Sequence, residues 1–561
     1  MANRLAIYHP QGQIAFGDKP FGKDVANRDL FAALALHGGY EQLDILTHGN
    51  IDAEALAEQL LQGRPAATRV AAGHILSQKT VIEAGVLLRG KADLASVAWL
   101  RRRVAGDRAY SLAGVVHTIA PLVVRDYIAA AAVAPVQPWD ALICTSPSVQ
   151  DALDRMFDEW CDFLADRFGG DRRPKPRLPL VPLGVDLQQI AAAADDPAAR
   201  AAVRAEFGLS DQDIMVLWVG RLSFFEKAFP QPMLRAVEEA AAATGARVHF
   251  VHAGWFPGGE QDQRRYEAAA QAYAPNVTVR FVSGDDRARI GRLWAGADLF
   301  ISLVDNIQET FGITPVEAMA AALPVVVSDW DGYRYTVQDG VQGFLIPTLG
   351  GPAGRLGYSM STRHTLLMDS YQAYAGLVAQ HTAVHVGRAA EAIAALIRSP
   401  DLRRTMGAAG RARVAATFDW PVVVGELKAV FDELAQIRAS APGAGGPGWP
   451  LNPVRGDPFR DFAGFATGVL NGATPLSLRS GAGPADLERA RGLALDQFGG
   501  NWRSTPAECA LVVELLASGE RWTVDALAAR FPPDRRWPLE LTLMWMMKLG
   551  VVDWLEPSDP D

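Results

Sequence analysis

Short apolar segments alternate with segments of helical periodicity along most of the 561-residue chain. In the first part of the chain, the predicted strands cover residues 5–8, 43–47, 114–117, 141–144 and 180–182. A predicted amphipathic helix at residues 24–36 follows the first of these strands. This alternation is typical of a parallel sheet with helices on both faces.

The same pattern restarts after a helical stretch at residues 191–207. Further strands are predicted at residues 214–219, 248–251, 277–282, 299–303 and 324–328. We therefore expect an α/β protein with two doubly wound, Rossmann-like domains that face a cleft. Ligands of such domains bind at the carboxyl ends of the strands.

Residues 439–454 are rich in glycine and proline and predict a flexible linker. Beyond it, helices are predicted at residues 486–498, 506–517, 524–531 and 539–549, with a short strand at 551–555, as in a small, mainly helical, winged-helix-like domain. The predicted organisation is a Rossmann-like domain at 1–190, a second at 191–400, closing helices at 401–438, the linker, and a helical accessory domain at 455–561.

Composition narrows the class of protein. The net charge of -9 does not favour nucleic acid as a partner. The three cysteines, Cys144, Cys161 and Cys509, are too few for a disulfide framework and indicate a reducing compartment, hence the cytoplasm. No segment has the apolar length of a signal peptide core or a membrane span. Basic clusters at 101–103 and 172–177 leave peripheral contact with the inner face of a membrane open, although a solvated surface is the simpler interpretation.

The most informative stretch is residues 308–320, directly after the predicted strand at 299–303. It holds two carboxylates eight positions apart, Glu309 and Glu317. Between them a glycine turn at Gly312 leads into a helix, and Thr314 to Glu317 fits a capping box. Amides at a helix N-terminus bind phosphate, and a glycine lets a ligand approach the backbone. The two carboxylates are suited to accept hydrogen bonds from sugar hydroxyls.

Two cations follow the predicted strand at 214–219. Gly220 and Arg221 come directly after it, and Lys227 lies six residues further on. At the carboxyl edge of a sheet these cations would neutralise a diphosphate. Taken alone, the pair is more simply interpreted as surface charge.

Together, these motifs resemble the retaining glycosyltransferases of the GT-B fold, in particular glycosyltransferase family 4 of the group 1 type. The Glu-x7-Glu hallmark of that family is matched by Glu309 and Glu317. Residues 297–300 before it and the glycine-bearing residues 331–343 after it match neighbouring family segments. The resemblance is strong over about residues 211–347, weaker over the first half of the chain, and absent after the linker.

The resemblance implies a role for each site residue. Glu317 would bind the ribose hydroxyls, Glu309 would contact the transferred sugar, and Arg221 and Lys227 would stabilise the departing nucleoside diphosphate. His117 either contacts the donor or catalyses, or simply caps a strand end, and the two interpretations carry equal weight. The remaining donor-binding candidates are Thr310, Phe311, Gly312, Ile313, Gly220 and Gly22.

The implied reaction moves a sugar from a nucleoside diphosphate sugar, the co-substrate, to a hydroxyl with retention of configuration, in glycan or glycoconjugate biosynthesis. No metal and no other cofactor are expected, because fixed cations and amides can stabilise the phosphate. The first domain would bind the acceptor, which could be a glycan, a lipid-linked molecule, a protein or a small molecule, and the last domain could bind a protein partner. Two alternatives stay open: cleavage of a nucleotide sugar or glycan, and a non-catalytic scaffold that binds sugar nucleotides.

The sequence departs from the family pattern at several places. The Arg221-to-Lys227 spacing is six instead of the commoner five. The usual Gly-Gly is Asp331-Gly332, and the late family glutamate aligns with Tyr335. The first loop, residues 11–23, lacks its glycine pair and leaves Gly22 as the nearest candidate, and residues 348–386 are longer than usual. Asp329 and Asp331 form an Asp-x-Asp, the metal motif of a different fold, which we attribute to chance.

Overall fold

The computed structural model describes residues 3–10, 22–284, 287–442 and 452–554. It divides into two compact units, Met1–Leu451 and Asn452–Asp561. The first unit holds two six-stranded parallel sheets, and the second holds a small antiparallel sheet among helices. Most of the predicted first loop and part of the predicted linker lie outside the described residues.

The first sheet has the strand order β3-β2-β1-β4-β5-β6. Its strands are β1 Arg4–Tyr8, β2 Gln42–Thr47, β3 Arg69–His74, β4 Val86–Arg89, β5 Ser111–Val116 and β6 Ala141–Cys144. The helices that accompany them are α1 Gly22–His37, α2 Ala53–Leu61, α3 Gln78–Ala84, α4 Ala95–Val104, α5 Leu122–Val133 and α6 Pro147–Phe168. The strand predicted at 180–182 is only a single bridge, in which Leu180 pairs with Cys144.

Two helices, α7 Leu187–Ala194 and α8 Pro197–Glu206, lead into the second sheet. Its order, β12-β11-β10-β7-β8-β9, repeats the order of the first sheet. The strands are β7 Ile214–Val219, β8 Val248–Gly254, β9 Thr278–Ser283, β10 Leu299–Ser302, β11 Val325–Ser328 and β12 Gly343–Ile346. The helices among them are α9 Pro230–Thr244, α10 Glu260–Tyr273, α11 Arg287–Gly296, α12 Ile313–Ala320 and α13 Tyr333–Thr336.

The stretch that the sequence marks as unusually long forms a helical hairpin after β12. A short antiparallel pair, β13 Thr348–Leu349 and β14 Ala383–Val384, brackets α14 Arg355–Thr365 and α15 Tyr371–Gln380. Gly376 of α15 packs on Phe225, because a Cβ placed on Gly376 would lie 2.9 Å from the Phe225 Cβ. The hairpin therefore lies against the loop that connects Arg221 with Lys227.

The last helices of the first unit return the chain to the first sheet. They are α16 Val386–Arg398, α17 Pro400–Arg413, a π-helical turn at Val414–Phe418, and α18 Trp420–Ser440. Trp420 and Leu427 of α18 are buried in one apolar cluster with Leu5 of β1. We call the first sheet with its helices and α18 the first lobe, and the second sheet with its helices the second lobe. The chain passes between the lobes where Val185 pairs with Asp419.

The second unit is built around its own apolar core. Its helices are α19 Pro458–Asp461, α20 Pro484–Gly492, α21 Pro506–Ala517, α22 Val524–Ala528 and α23 Arg536–Lys548. The antiparallel strands β15 Pro475–Leu478, β16 Trp522–Thr523 and β17 Val552–Asp553 form one sheet with β15 in the centre. The last helix contributes to this core, since Leu539, Leu543 and Met546 are fully buried. Among the described residues of the whole chain, we find no helix that is long and apolar enough to span a membrane.

Candidate functional site

The loop that joins β10 to α12 folds around the carboxylate of Glu309. Its Oε1 accepts hydrogen bonds from the backbone amides of Thr310 (3.2 Å), Phe311 (3.5 Å) and Gly312 (3.1 Å). Its Oε2 accepts a hydrogen bond from Lys227 Nζ at 3.1 Å. The pair is largely shielded, with the Glu309 side chain 13 % exposed and that of Lys227 35 % exposed. Glu309 thus joins the loop after β7 to the beginning of α12.

This arrangement corrects the predicted capping box at Thr314 to Glu317. Helix α12 begins two residues earlier than the capping box predicts, at Ile313, and its N-cap is Gly312 at φ 86°, with no side-chain capping bond. Because Gly312 has no side chain, it cannot cap in the usual manner. Instead, the carboxylate of Glu309 accepts hydrogen bonds from the backbone amides of the turn before the helix. Glu317 lies on α12 more than one turn after its start and is partly buried.

The electrostatics of Glu309 favour its ionised form. Burial by itself would raise the pKa of this carboxyl, but the Lys227 charge and the backbone amides outweigh burial and lower the pKa. A fixed negative charge is therefore held beside the N-terminal end of a helix, where the helix dipole also favours it.

A second pair of charges lies in the same loop after β7. Arg221 Nη1 donates to Glu226 Oε2 at 2.7 Å, and both side chains are nearly buried. Asn306, which the sequence did not single out, is fully buried and donates from Nδ2 to the carbonyl of Lys227. Its Oδ1 accepts from the amides of Gln308 and Glu309. Asn306 therefore links the loop after β7 to the loop that joins β10 to α12.

The predicted glycines have different surroundings. Gly220, at φ 154°, follows β7 directly, and a Cβ on Gly254 would lie 1.7 Å from the Gly220 carbonyl oxygen. The ends of β7 and β8 thus approach more closely than side chains would allow. Gly22 is the first residue of α1 and is exposed, and no atom of the described residues lies within 4 Å of a Cβ placed on it. Among residues 22–284, 287–442 and 452–554, nothing approaches the backbone of Gly22 in the way that would require glycine.

The two lobes contact each other at this loop. Thr310 Oγ1 donates to the carbonyl of His117 at 2.7 Å, and Thr145 Oγ1 donates to the carbonyl of Thr310 at 3.3 Å. His117 lies one residue beyond the end of β5, and its Nε2 is 2.8 Å from Asn27 Oδ1. Burial and the Lys23 charge lower the pKa of His117 to about 4, so its imidazole is neutral at pH 7.

Glycines and an aromatic ring fix the position of this loop. A Cβ on Gly312 would lie 2.0 Å from the ring of Tyr333, whose hydroxyl is 2.9 Å from Ser302 Oγ. A Cβ on Gly332 would lie 2.4 Å from the Cα of Phe311. The loop of Glu309 and the loop after β11 are therefore in direct backbone contact, and both glycines are required by that contact.

The inserted hairpin adds a residue that sequence reasoning missed. Tyr371 begins α15, where the side chain of Ser370 caps the helix, and its hydroxyl donates to Gln308 Oε1 at 2.8 Å. Burial and the Glu226 charge raise the pKa of Tyr371, while Thr118 and Arg221 oppose that shift. The Tyr371 hydroxyl therefore lies among groups of both lobes, beside the residue that precedes Glu309.

Three kinds of comparison bear on this site. The family model "Glycosyl transferases group 1" matches residues 199–349, which contain Arg221, Lys227, Glu309 and Glu317. The chain is 27 % identical over 412 residues to the D-inositol 3-phosphate glycosyltransferase of Geodermatophilus obscurus, covering 72 % of this chain and 77 % of that protein. It is 30 % identical over 300 residues to the protein of the same name from Mycolicibacterium smegmatis, covering 53 % of this chain and 62 % of the relative.

Among solved structures, Anabaena HepE in complex with UDP and glucose superimposes with a TM-score of 0.50 at 17 % identity, over 77 % of this chain and 99 % of the other. At that level of identity the likeness bears on the fold. It agrees with the two six-stranded sheets of identical strand order. Residues 199–349 are thus a group 1 glycosyltransferase domain, and the chain is a glycosyltransferase enzyme of the GT-B fold.

Proposed function

We propose that this enzyme transfers a sugar from a nucleoside diphosphate sugar to a hydroxyl with retention of anomeric configuration, as a member of glycosyltransferase family 4. The observation that carries the proposal is the Lys227–Glu309 pair, 3.1 Å apart, at the start of α12. It lies within the matched group 1 segment. It combines a cation, a carboxylate and a helix N-terminus in one site.

Each of these groups meets a need of glycosyl transfer. As the sugar–phosphate bond breaks, negative charge grows on the diphosphate and positive charge grows on the anomeric carbon. Lys227, Arg221 and the N-terminal amides of α12 stabilise the diphosphate, and Glu309 faces the sugar. In the retaining route the leaving phosphate takes the proton of the attacking hydroxyl on the same face of the sugar. In this proposal no metal takes part, because these fixed charges replace it.

Glu317 would hold the ribose of the donor. It lies eight residues after Glu309 on α12 and is partly buried. A carboxylate can accept hydrogen bonds from two ribose hydroxyls at once. Because the ribose does not react, such a contact stabilises the bound donor and the transition state equally. Removing Glu317 should therefore weaken donor binding more than it slows the bound complex.

For the acceptor, D-inositol 3-phosphate is the first compound to test, because several relatives carry it in their name. Cations are present at the corresponding edge of the first lobe. Arg89 ends β4, Lys91 follows it, and the pKa of Lys91 is lowered by burial and by the charges of Lys23 and Arg89. Such a group of cations suits an acceptor that carries a phosphate.

The test is release of nucleoside diphosphate from a panel of UDP, GDP, ADP and TDP sugars, with and without D-inositol 3-phosphate and with and without EDTA. We expect one donor to react, EDTA to leave the rate unchanged, and NMR of the product to show the anomeric configuration of the donor. Free sugar without acceptor product would favour the cleaving alternative. Binding of donor without turnover over a broad acceptor panel would favour the scaffold.

The variant Glu317→Ala should raise the donor KM by at least tenfold. Glu391→Ala is a matched control, because Glu391 is an exposed carboxylate on another helix of the same lobe, paired only at the surface with Arg388. Equal kinetics for the two variants would refute the role of Glu317.

A further inference from the structure

Asp331, in the turn after β11, has a carboxylate oxygen that nothing in the described structure satisfies. Its Oδ1 accepts a weak hydrogen bond from Ser146 Oγ of the first lobe at 3.4 Å. Its Oδ2 is buried and makes no hydrogen bond with any described residue. A buried polar atom without a partner is costly, so such an atom calls for an explanation.

The position of this carboxyl is tightly fixed. Asp331 has φ 43°, a left-handed conformation that few residues other than glycine adopt. The next residue, Gly332, contacts the backbone of Phe311 so closely that a side chain could not be added. The turn of Asp331 therefore lies directly on the loop of Glu309. Strained backbone that is held by its surroundings concentrates at functional sites.

The electrostatic surroundings of Asp331 are unfavourable to its charge. The pKa of this carboxyl is raised to about 7, chiefly by burial and also by the Glu309 charge, and the Gly332 amide and Ser146 only partly oppose this. The Asp331 charge in turn contributes to raising the pKa of Tyr333. No cation balances Asp331 in these interactions, whereas Glu309 has Lys227.

From this geometry we propose that Asp331 is a specificity-determining residue of the transfer site, whose Oδ2 accepts a hydrogen bond from a hydroxyl of the transferred sugar when the lobes close over the donor. The inference rests on the proposed function. The lobes meet at Ser146 and Asp331, so a sugar held at Glu309 reaches the carboxyl before closure buries it. The sugar hydroxyl supplies the hydrogen-bond donor that Oδ2 does not find among the described residues.

The decisive variant is Asp331→Gly, because glycine removes the carboxyl while accepting the left-handed backbone at no cost. We expect the thermal midpoint to stay the same or rise, since a buried unsatisfied carboxyl and a strained backbone are both removed. We expect kcat/KM for the donor sugar to fall about 10- to 100-fold, because the sugar hydroxyl would lose its acceptor in a buried site. A residue with a purely structural role would not combine unchanged stability with lost activity.

Two control variants separate the effects. Gln62→Gly relieves a left-handed residue at φ 53° at the end of α2, where it is exposed, and should leave kinetics unchanged. Asp329→Asn removes a carboxylate of the same turn, which pairs at the surface with Arg334 at 2.9 Å, and should also leave kinetics unchanged. The variant Asp331→Asn preserves size and tolerates the backbone, so it reports loss of the carboxylate if glycine alters the turn.

Binding of the nucleoside diphosphate without its sugar provides a readout besides turnover. Its Kd should be the same for wild type, Asp331→Gly and Asp331→Asn, because the proposed contact is to the sugar. Donor breakdown without acceptor and transfer to acceptor should fall by the same factor. Full activity of both Asp331 variants, or a loss confined to transfer, would overturn the assignment. Absence of turnover in the wild type with every donor would instead refute the proposed function, and the inference with it.

Discussion

Gly312, where the loop of Glu309 turns into α12, allows a sharp test of how the site is held. An alanine there would have φ 86°, a conformation that costs an L-residue about 1–2 kcal/mol. Its Cβ would lie 2.0 Å from the ring of Tyr333, so the ring would have to move. That movement would break the 2.9 Å contact with Ser302 and leave buried hydroxyls unsatisfied, at about 1–3 kcal/mol. The expected loss of stability is therefore about 2–5 kcal/mol.

Gly340→Ala is the matched control. Gly340 has nearly the same backbone conformation, φ 74°, but a Cβ placed on it has no heavy atom of the described part of the chain within 4 Å. Only the cost of the left-handed backbone conformation applies, so we expect the free energy of unfolding to fall by about 1–2 kcal/mol. Urea unfolding of the full chain, monitored in the transition of the first unit, measures both variants under one condition. Equal losses for the two variants would refute the argument that the Tyr333 ring holds the turn at Gly312.

Two further predictions concern other contacts of the second lobe. Tyr371→Phe removes the hydroxyl that donates to Gln308 and should lower kcat about tenfold with little change in donor KM. The control Tyr374→Phe, one turn later on α15, should leave kcat and KM unchanged. Steady-state kinetics of the two variants test this prediction. Burial lowers the pKa of His252 in the folded protein to about 3. In the unfolded chain the same imidazole takes up a proton below about pH 6.5. The folded state therefore loses stability relative to the unfolded state as the pH falls from about 6.5 towards 3. Between pH 7 and pH 5, His252→Leu should therefore lose about 2 kcal/mol less stability in urea unfolding than the wild type, and parallel losses would contradict the burial argument.

The alternation of apolar segments with helical periodicity was sufficient to predict both sheets, because buried parallel strands are short and apolar throughout. It failed for strand β3, which contains Arg69, His74 and small residues and is only partly buried. The four-residue strands β4 and β12 were not predicted either. Conversely, the apolar residues at 180–182 were predicted to be a strand, yet only Leu180 pairs, with Cys144.

For the site, sequence spacing predicted the proximity of residues that lie on one loop or at the ends of neighbouring strands. Glu309 and Lys227 do meet, because the carboxyl ends of β7 and β10 are adjacent in the sheet. Asn306 and Tyr371 could not be found in this way, since each acts through contacts with residues distant in the chain. The sequence shows only an asparagine three residues before Glu309, and its burial is seen only in the structure. The helical hairpin could be recognised as extra length, but its position over the site could not.

The predicted capping box failed for a reason that bears on the mechanism. The sequence assigned the amides near Phe311 and Gly312 to a bound donor and left Glu309 for the sugar. In the structure those amides already donate to Glu309 Oε1, and the longest of the bonds, from Phe311, measures 3.5 Å. A donor phosphate at the same amides must share them with a carboxylate of like charge, which is unfavourable unless a cation stands between the two. In the proposed function, Lys227, 3.1 Å from Glu309, would be that cation. The ion pair would then make a doubly acidic site compatible with an anionic donor, and an uncharged side chain at position 227 should weaken nucleoside diphosphate binding even if Glu309 is left intact.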